Sequence, residues 1–68
     1  MHIGKKIKTI MEQRNRSVIW VAKQLECERT NIYNIFARAD INTRLLRQLC
    51  TILEYNFFKD LADETAKK

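Results

Sequence analysis

Arg29, Thr30, Asn31, Tyr33 and Asn34 crowd hydrogen-bonding side chains around three apolar ones, Ile32, Ile35 and Phe36. At 3.6 residues per turn the apolar three share one side of a helix, so the polar residues face the other way. The chemistry open to such a face is recognition. An arginine fork matches the O6 and N7 acceptors of guanine, and an asparagine amide matches N6 and N7 of adenine. Thr30 can offer a methyl group to thymine, and Tyr33 can reach a phosphate or a thymine methyl. Arg29, Thr30, Tyr33 and Asn34 are therefore the candidates for contact with base edges. Taken alone, the same face would serve equally well as a solvated helix surface. Catalysis finds no comparable support: His2 is the single histidine, and no serine–histidine or paired-carboxylate arrangement can be argued, so the chain is not expected to be an enzyme. Two cysteines, Cys27 and Cys50, with a distant His2 lack the spacing of a zinc site, so neither metal nor cofactor is expected.

Five helices are predicted to position that face. The first spans about residues 3–13, with Ile3, Ile7, Ile10 and Met11 inward and Lys5, Lys6, Lys8 and Glu12 outward. Asn15 and Arg16 connect it to a second helix over 18–25, started by Ser17 as N-cap and carrying Val18, Val21 and Leu25 on its buried stripe. Ala22 leaves room for another helix to cross closely. Trp20, one position off the stripe, is expected to pack on the core or the first helix with its indole N–H near the surface. Glu26 and Cys27 make the turn into a third helix over 28–37, where Glu28 in the first turn would suit the positive end of the helix dipole. After a loop at Ala39 and Asp40, Asn42 caps a fourth helix whose stripe is Leu46, Leu49, Cys50 and Leu53. Asn56 caps a last short helix that buries Phe57 or Phe58 with Leu61, and the tail from Thr65 to Lys68 is expected to fray.

The segment from Ser17 to Phe36 resembles the helix-turn-helix of the lambda-repressor/Cro-like (XRE-type) family. The likeness extends over residues 3–61 and rests on Ala22, on Val21, Leu25, Ile32 and Ile35, and on the Leu46, Leu49, Cys50, Leu53 pattern. One position departs from it. Many members place glycine in the tight turn, where this chain has Glu26, so the turn is either strained or built differently. The resemblance implies an all-α, five-helix domain with the motif at helices 2 and 3, and a third helix that enters the major groove of double-stranded DNA. It also implies backbone contacts at the start of helix 2 and in the loop before helix 4, which here hold Arg16, Ser17, Arg38, Thr43 and Arg44. Lys23 and Asn31 join this phosphate-contacting group. Lys5, Lys6 and Lys8 would add long-range attraction.

Charge distribution agrees with a polyanionic partner. Residues 1–47 hold ten basic and four acidic side chains, a net +6, whereas the last 21 residues come to −1. Sixty-eight residues make one domain, and no apolar run approaches the roughly 20 residues needed to span a membrane. No cleavable signal peptide is evident, so the expected location is the cytoplasm. A stand-alone Cro-type repressor is the reading the resemblance implies, acting as a homodimer on its operator with no small-molecule ligand. Phe57 and Phe58 are adjacent and do not easily face one core, so one of them, with Tyr55, is the expected dimer patch. The alternative is a protein–protein interaction module or antitoxin on the same scaffold. An RNA-binding domain is the third reading, with only Tyr33 placed for base stacking.

Overall fold

The order of helix starts and stops in this chain follows from side chains that complete the hydrogen bonding of helix ends. The structure is a computed structural model that describes residues 2–66, with side-chain placement through residue 63. It contains α1 (Ile3–Gln13), α2 (Val18–Gln24), α3 (Arg29–Ala37), α4 (Thr43–Leu53) and α5 (Phe57–Ala66), and no strand among the described residues. Four of these begin at a side chain that accepts from an otherwise orphaned amide. His2 Nδ1 takes Lys5 N–H at 3.2 Å and Ser17 Oγ takes Trp20 N–H at 3.0 Å. Asn42 Oδ1 takes Leu45 N–H at 2.7 Å and Asn56 Oδ1 takes Lys59 N–H at 3.2 Å. His2 is thus the cap of α1.

Three helices stop by turning left-handed. Asn15 (φ 56°), Glu26 (φ 55°) and Glu54 (φ 53°) follow α1, α2 and α4, and none is glycine. After α1, Asn15 N–H bonds Glu12 C=O at 3.1 Å and Arg16 N–H bonds Met11 C=O at 2.9 Å. After α2, Glu26 N–H bonds Lys23 C=O at 3.2 Å and Cys27 N–H bonds Ala22 C=O at 2.9 Å. These paired bonds satisfy the last carbonyls of each helix in the Schellman arrangement. A left-handed glutamate costs about 1–2 kcal/mol, whereas asparagine enters this region readily, so the turn at Glu26 has the ordinary geometry and carries the strain.

The core gathers one stripe from every helix: Ile3, Ile7, Ile10 and Met11 from α1, Val21 and Ala22 from α2, Ile32 and Ile35 from α3, Leu46, Leu49 and Leu53 from α4, and Phe57 from α5. Val18, Trp20, Leu25, Phe36, Cys50 and Leu61 pack half-buried at its edge. At Gly4 the backbone of α1 comes directly against the end of α3. The amides of Ile3 and Gly4 donate to the carbonyls of Ala39 and Arg38, both at 3.0 Å, just past the end of α3. A methyl group added at Gly4 would come closer than 3.0 Å to the carbonyl oxygens of Ile35, Phe36 and Arg38.

Four expectations need correction. Glu28 is not in the first turn of α3 but precedes it as the N-cap residue, with extended backbone, and its side chain makes no capping bond. Leu25 is the C-cap of α2, not a helical residue. The backbone of Thr65 and Ala66 continues α5, while the expected fraying of residues 67 and 68 lies outside the described residues. Tyr55 does not join an exposed patch with Phe58: it stands edge-on to the buried Phe57 ring at 4.9 Å and its hydroxyl donates to Asp60. Phe58 alone of that pair is exposed, at 36%.

Tyr55 also ties α1 to the last helix. Lys6 Nζ lies 5.5 Å from its ring centre and 3.5 Å from Asp60 Oδ2. Donation to the Asp60 carboxylate favours the neutral phenol and, with burial, raises the Tyr55 pKa above its ordinary 10.0. The neighbouring Tyr55 hydroxyl, then the charge of Asp60, raises the Lys6 pKa above its ordinary 10.5.

Two outcomes follow. Gly4→Ala should destabilise the domain by about 1–3 kcal/mol, because the added methyl meets backbone and not a yielding side chain. Urea unfolding measures this directly, and an unchanged midpoint would mean that α1 and α3 do not approach as described. Both groups of the Lys6–Tyr55 pair hold their protons more tightly folded than unfolded. Their contribution is therefore complete below the unfolded pKa values and disappears as pH rises through the folded ones. Thermal midpoints should fall above about pH 10, and Tyr55→Phe should flatten that decline; identical alkaline profiles for the two proteins would remove Tyr55 from the linkage.

Candidate nucleic-acid interface

α2 and α3 are joined by residues 25–28, and their approach depends on small and apolar groups at the junction. Ala22 is 4% exposed, and Cys27 packs half-buried against the core from within the turn. Below α3, Ile32 and Ile35 are buried; above it, Arg29, Thr30, Asn31, Tyr33 and Asn34 are all exposed. The helix is thus held by one side and presents the other.

Three shallow depressions border that presented side. The first, 440 Å³, lies at the α2–α3 junction and brings Lys23 together with Arg29, Thr30 and Ile19. A second, 330 Å³, lies between α3 and α4 and holds Asn31, Asn34, Arg38 and Gln48. The third, 280 Å³, lies between α3 and the α1–α2 connection; Lys8, Arg16, Ser17 and Tyr33 line it, with Glu12 and the apolar Met11, Val18 and Phe36. Every residue expected from the sequence to meet base or backbone is exposed: Arg29, Thr30, Tyr33 and Asn34, and Arg16, Ser17, Lys23, Asn31, Arg38, Thr43 and Arg44.

The grouping differs from the expected division in one respect. Asn31 and Asn34, assigned to backbone and to base, line one groove with Arg38. Thr43 and Arg44 occupy the first turn of α4 and line none of the three depressions. Three lining residues escaped the sequence reading. Lys8 is expected only to add long-range attraction, and Gln48 and Ile19 carry no expected role. Their outward helical positions were readable, but the neighbours they meet across a groove were not.

The cations fall into two kinds. Among the described residues Lys23, Arg29, Arg38 and Arg44 make no ion pair and no side-chain hydrogen bond, so their charge is directed at solvent. Arg14 instead donates to the Glu54 carbonyl at 3.3 Å and links the ends of α1 and α4. Arg16 lies over Trp20, its guanidinium carbon 4.5 Å from the ring centre. Ser17 Oγ accepts from the Trp20 amide, which leaves its O–H proton free to donate outward. Tyr33, 59% exposed, stands edge-on to Phe36 at 6.1 Å, an arrangement that restrains the ring and leaves its hydroxyl in solvent.

Such a surface is equipped for hydrogen bonding and charge attraction. A raised helix with donors and acceptors along its crest, and cations on both flanks, suits a groove walled by phosphates. No protein-family model, curated protein or solved structure matches the chain.

Proposed function

We propose that the chain is a sequence-specific double-stranded DNA-binding transcriptional regulator, a Cro-type repressor that reads the major groove with α3. The observation that carries this reading is the pairing of a buried Ile32–Ile35 underside with an exposed Arg29, Thr30, Tyr33 and Asn34 crest, flanked by cations unpaired among the described residues. Arg29 and Asn34 supply bidentate contacts to guanine and adenine, with Thr30 and Tyr33 beside them. Arg16, Ser17, Lys23, Asn31, Arg38, Thr43 and Arg44 hold the phosphates on either side. The resemblance to lambda-repressor/Cro-like proteins supports the same assignment.

One small domain reads about half a site, so the working species is a symmetric dimer on DNA, its two copies about 34 Å apart. Phe58 is the exposed ring available to a contact between copies. The rival reading, a docking scaffold for another protein, draws on exposed Ile19 and Tyr33. Tyr33 shares its groove with the apolar Met11, Val18 and Phe36, but Ile19 lies in a separate depression beside Lys23 and Arg29, so the two do not join in one apolar patch, which favours DNA.

Binding should weaken steeply with salt, with a log–log slope of about −0.9 for each phosphate neutralised. Arg44→Ala should reduce affinity for all sequences alike and flatten the slope by about one unit; a slope that does not move takes Arg44 off the backbone. Selection from random duplexes returns the site and its symmetry together. Against that site, Arg29→Ala and Asn34→Ala should each relax preference at one or two base pairs, at about 1–3 kcal/mol, with the fold intact. Full sequence preference in both variants would mean that α3 does not face the bases, and an asymmetric site holding one chain would remove the dimer.

A further inference from the structure

Arg16 differs from Lys23, Arg29, Arg38 and Arg44 in being held before any partner arrives. Its backbone is fixed by the bond from its amide to Met11 C=O in the left-handed turn after α1. Ser17, the next residue, accepts from the Trp20 amide and so sets the indole one helical turn beyond. The guanidinium then lies against that indole, 4.5 Å from its centre. Lys23, Arg29, Arg38 and Arg44 have no ring contact and no ion pair among the described residues.

The contact with the indole uses the ring face and leaves the N–H donors unspent. No acceptor for the Arg16 side chain is present among the described residues, so its fork stays available to an anion. Lys8, Ser17 and Tyr33 line the same groove and can add donors, with Glu12 as its carboxylate.

We propose that Trp20 is a positioning residue that presents Arg16 to a backbone phosphate diester. The inference rests on the DNA-binding reading above and adds a residue that reading does not use. A long side chain that grips phosphate loses rotamer freedom, and the loss subtracts from affinity. Trp20 restricts Arg16 during folding, so less freedom remains to be lost on binding. Lysine cannot replace arginine here, because a hydrated ammonium group lacks both the planar contact with the ring and the fork of donors. Trp20 is also the only tryptophan in the chain, so its emission reports on the pair.

The test titrates the full chain onto a fluorescein-labelled duplex of mixed sequence, about two helical turns long, at several salt concentrations. Wild type is compared with Arg16→Lys, Arg16→Ala, Trp20→Phe and Trp20→Leu, and Trp20 emission is read in parallel. Arg16→Lys keeps the charge and should still weaken binding by about two- to tenfold. Arg16→Ala should weaken it further and lower the salt slope by about one unit. Trp20→Phe retains a ring and should retain most of the affinity, whereas Trp20→Leu should match Arg16→Lys. Combined with Arg16→Ala, Trp20→Leu should add no further loss. The wild-type emission should change on binding. Wild-type affinity in Arg16→Lys, or fully additive losses in the double variant, would overturn the proposal. If Trp20→Leu does not fold, Arg16→Lys and Trp20→Phe decide it, since the first alters only an exposed side chain and the second keeps an aromatic ring. A wild-type chain that binds no duplex at low salt overturns the DNA-binding reading and this inference with it, a result distinct from normal wild-type binding that these substitutions leave untouched.

Discussion

The backbone of α1 and the end of α3 meet at Gly4 with no side chain between them, and the placement of the remaining helices depends on that meeting. The first amides of α1 donate to Arg38 and Ala39 carbonyls, so one contact satisfies donors that a helix start leaves open and acceptors that a helix end leaves open. A hydrogen-bonded contact between backbones is directional in a way that apolar packing is not. It fixes both the distance and the relative rotation of the two helices. α3, the helix whose exposed side is proposed to read DNA, is therefore oriented from below by Ile32 and Ile35 and from its far end by α1.

α1 acts as the hub for the other end of the chain as well. Lys6 engages Tyr55 and Asp60, and Arg14 reaches the Glu54 carbonyl, so the exit of α4 and the start of α5 are both tied to it. Lys6 and Asp60 are each partly solvent-exposed, and such an ion pair contributes at most about 1 kcal/mol. Its value lies more in direction: it holds Tyr55 against Phe57, the fully buried ring that closes the core. A domain this small has few interior residues, and ties at its rim make up part of what a larger core would supply.

How much was legible in the sequence depended on the range of the interaction. Ser17, Asn42 and Asn56 were readable as caps because each bonds an amide three residues on, and the buried stripes of α1, α3 and α4 were readable because helical periodicity is local. The left-handed turn at Glu26 was half readable: an absent glycine raised the question, and only the backbone answered it. Gly4 carried no signal at all, since nothing near it in the chain shows that α3 ends beside it. Tyr55 was misplaced for the same reason, its partners being Lys6 on a distant helix and Asp60 on the next. At the candidate site the exposed residues of α3 were legible one by one. Their division among three grooves, and the seating of Arg16 on Trp20, required the relative positions of α1, α2, α3 and α4.

Asn15, Glu26 and Glu54 have a meaning beyond the geometry of helix ends. Glycine would relieve about 1–2 kcal/mol of left-handed strain at Glu26 and at Glu54, and less at Asn15, since asparagine enters this region readily, offset in part by glycine's greater freedom in the unfolded chain. Small domains are typically stable by only about 5–15 kcal/mol, so three such positions form a sizeable unused reserve. Each is one substitution away, and none lies on the outward side of α3. A lineage carrying this fold could draw on that reserve to tolerate destabilising changes among Arg29, Thr30, Tyr33 and Asn34. The strained turns thus leave the proposed binding surface free to diversify while the scaffold stays folded.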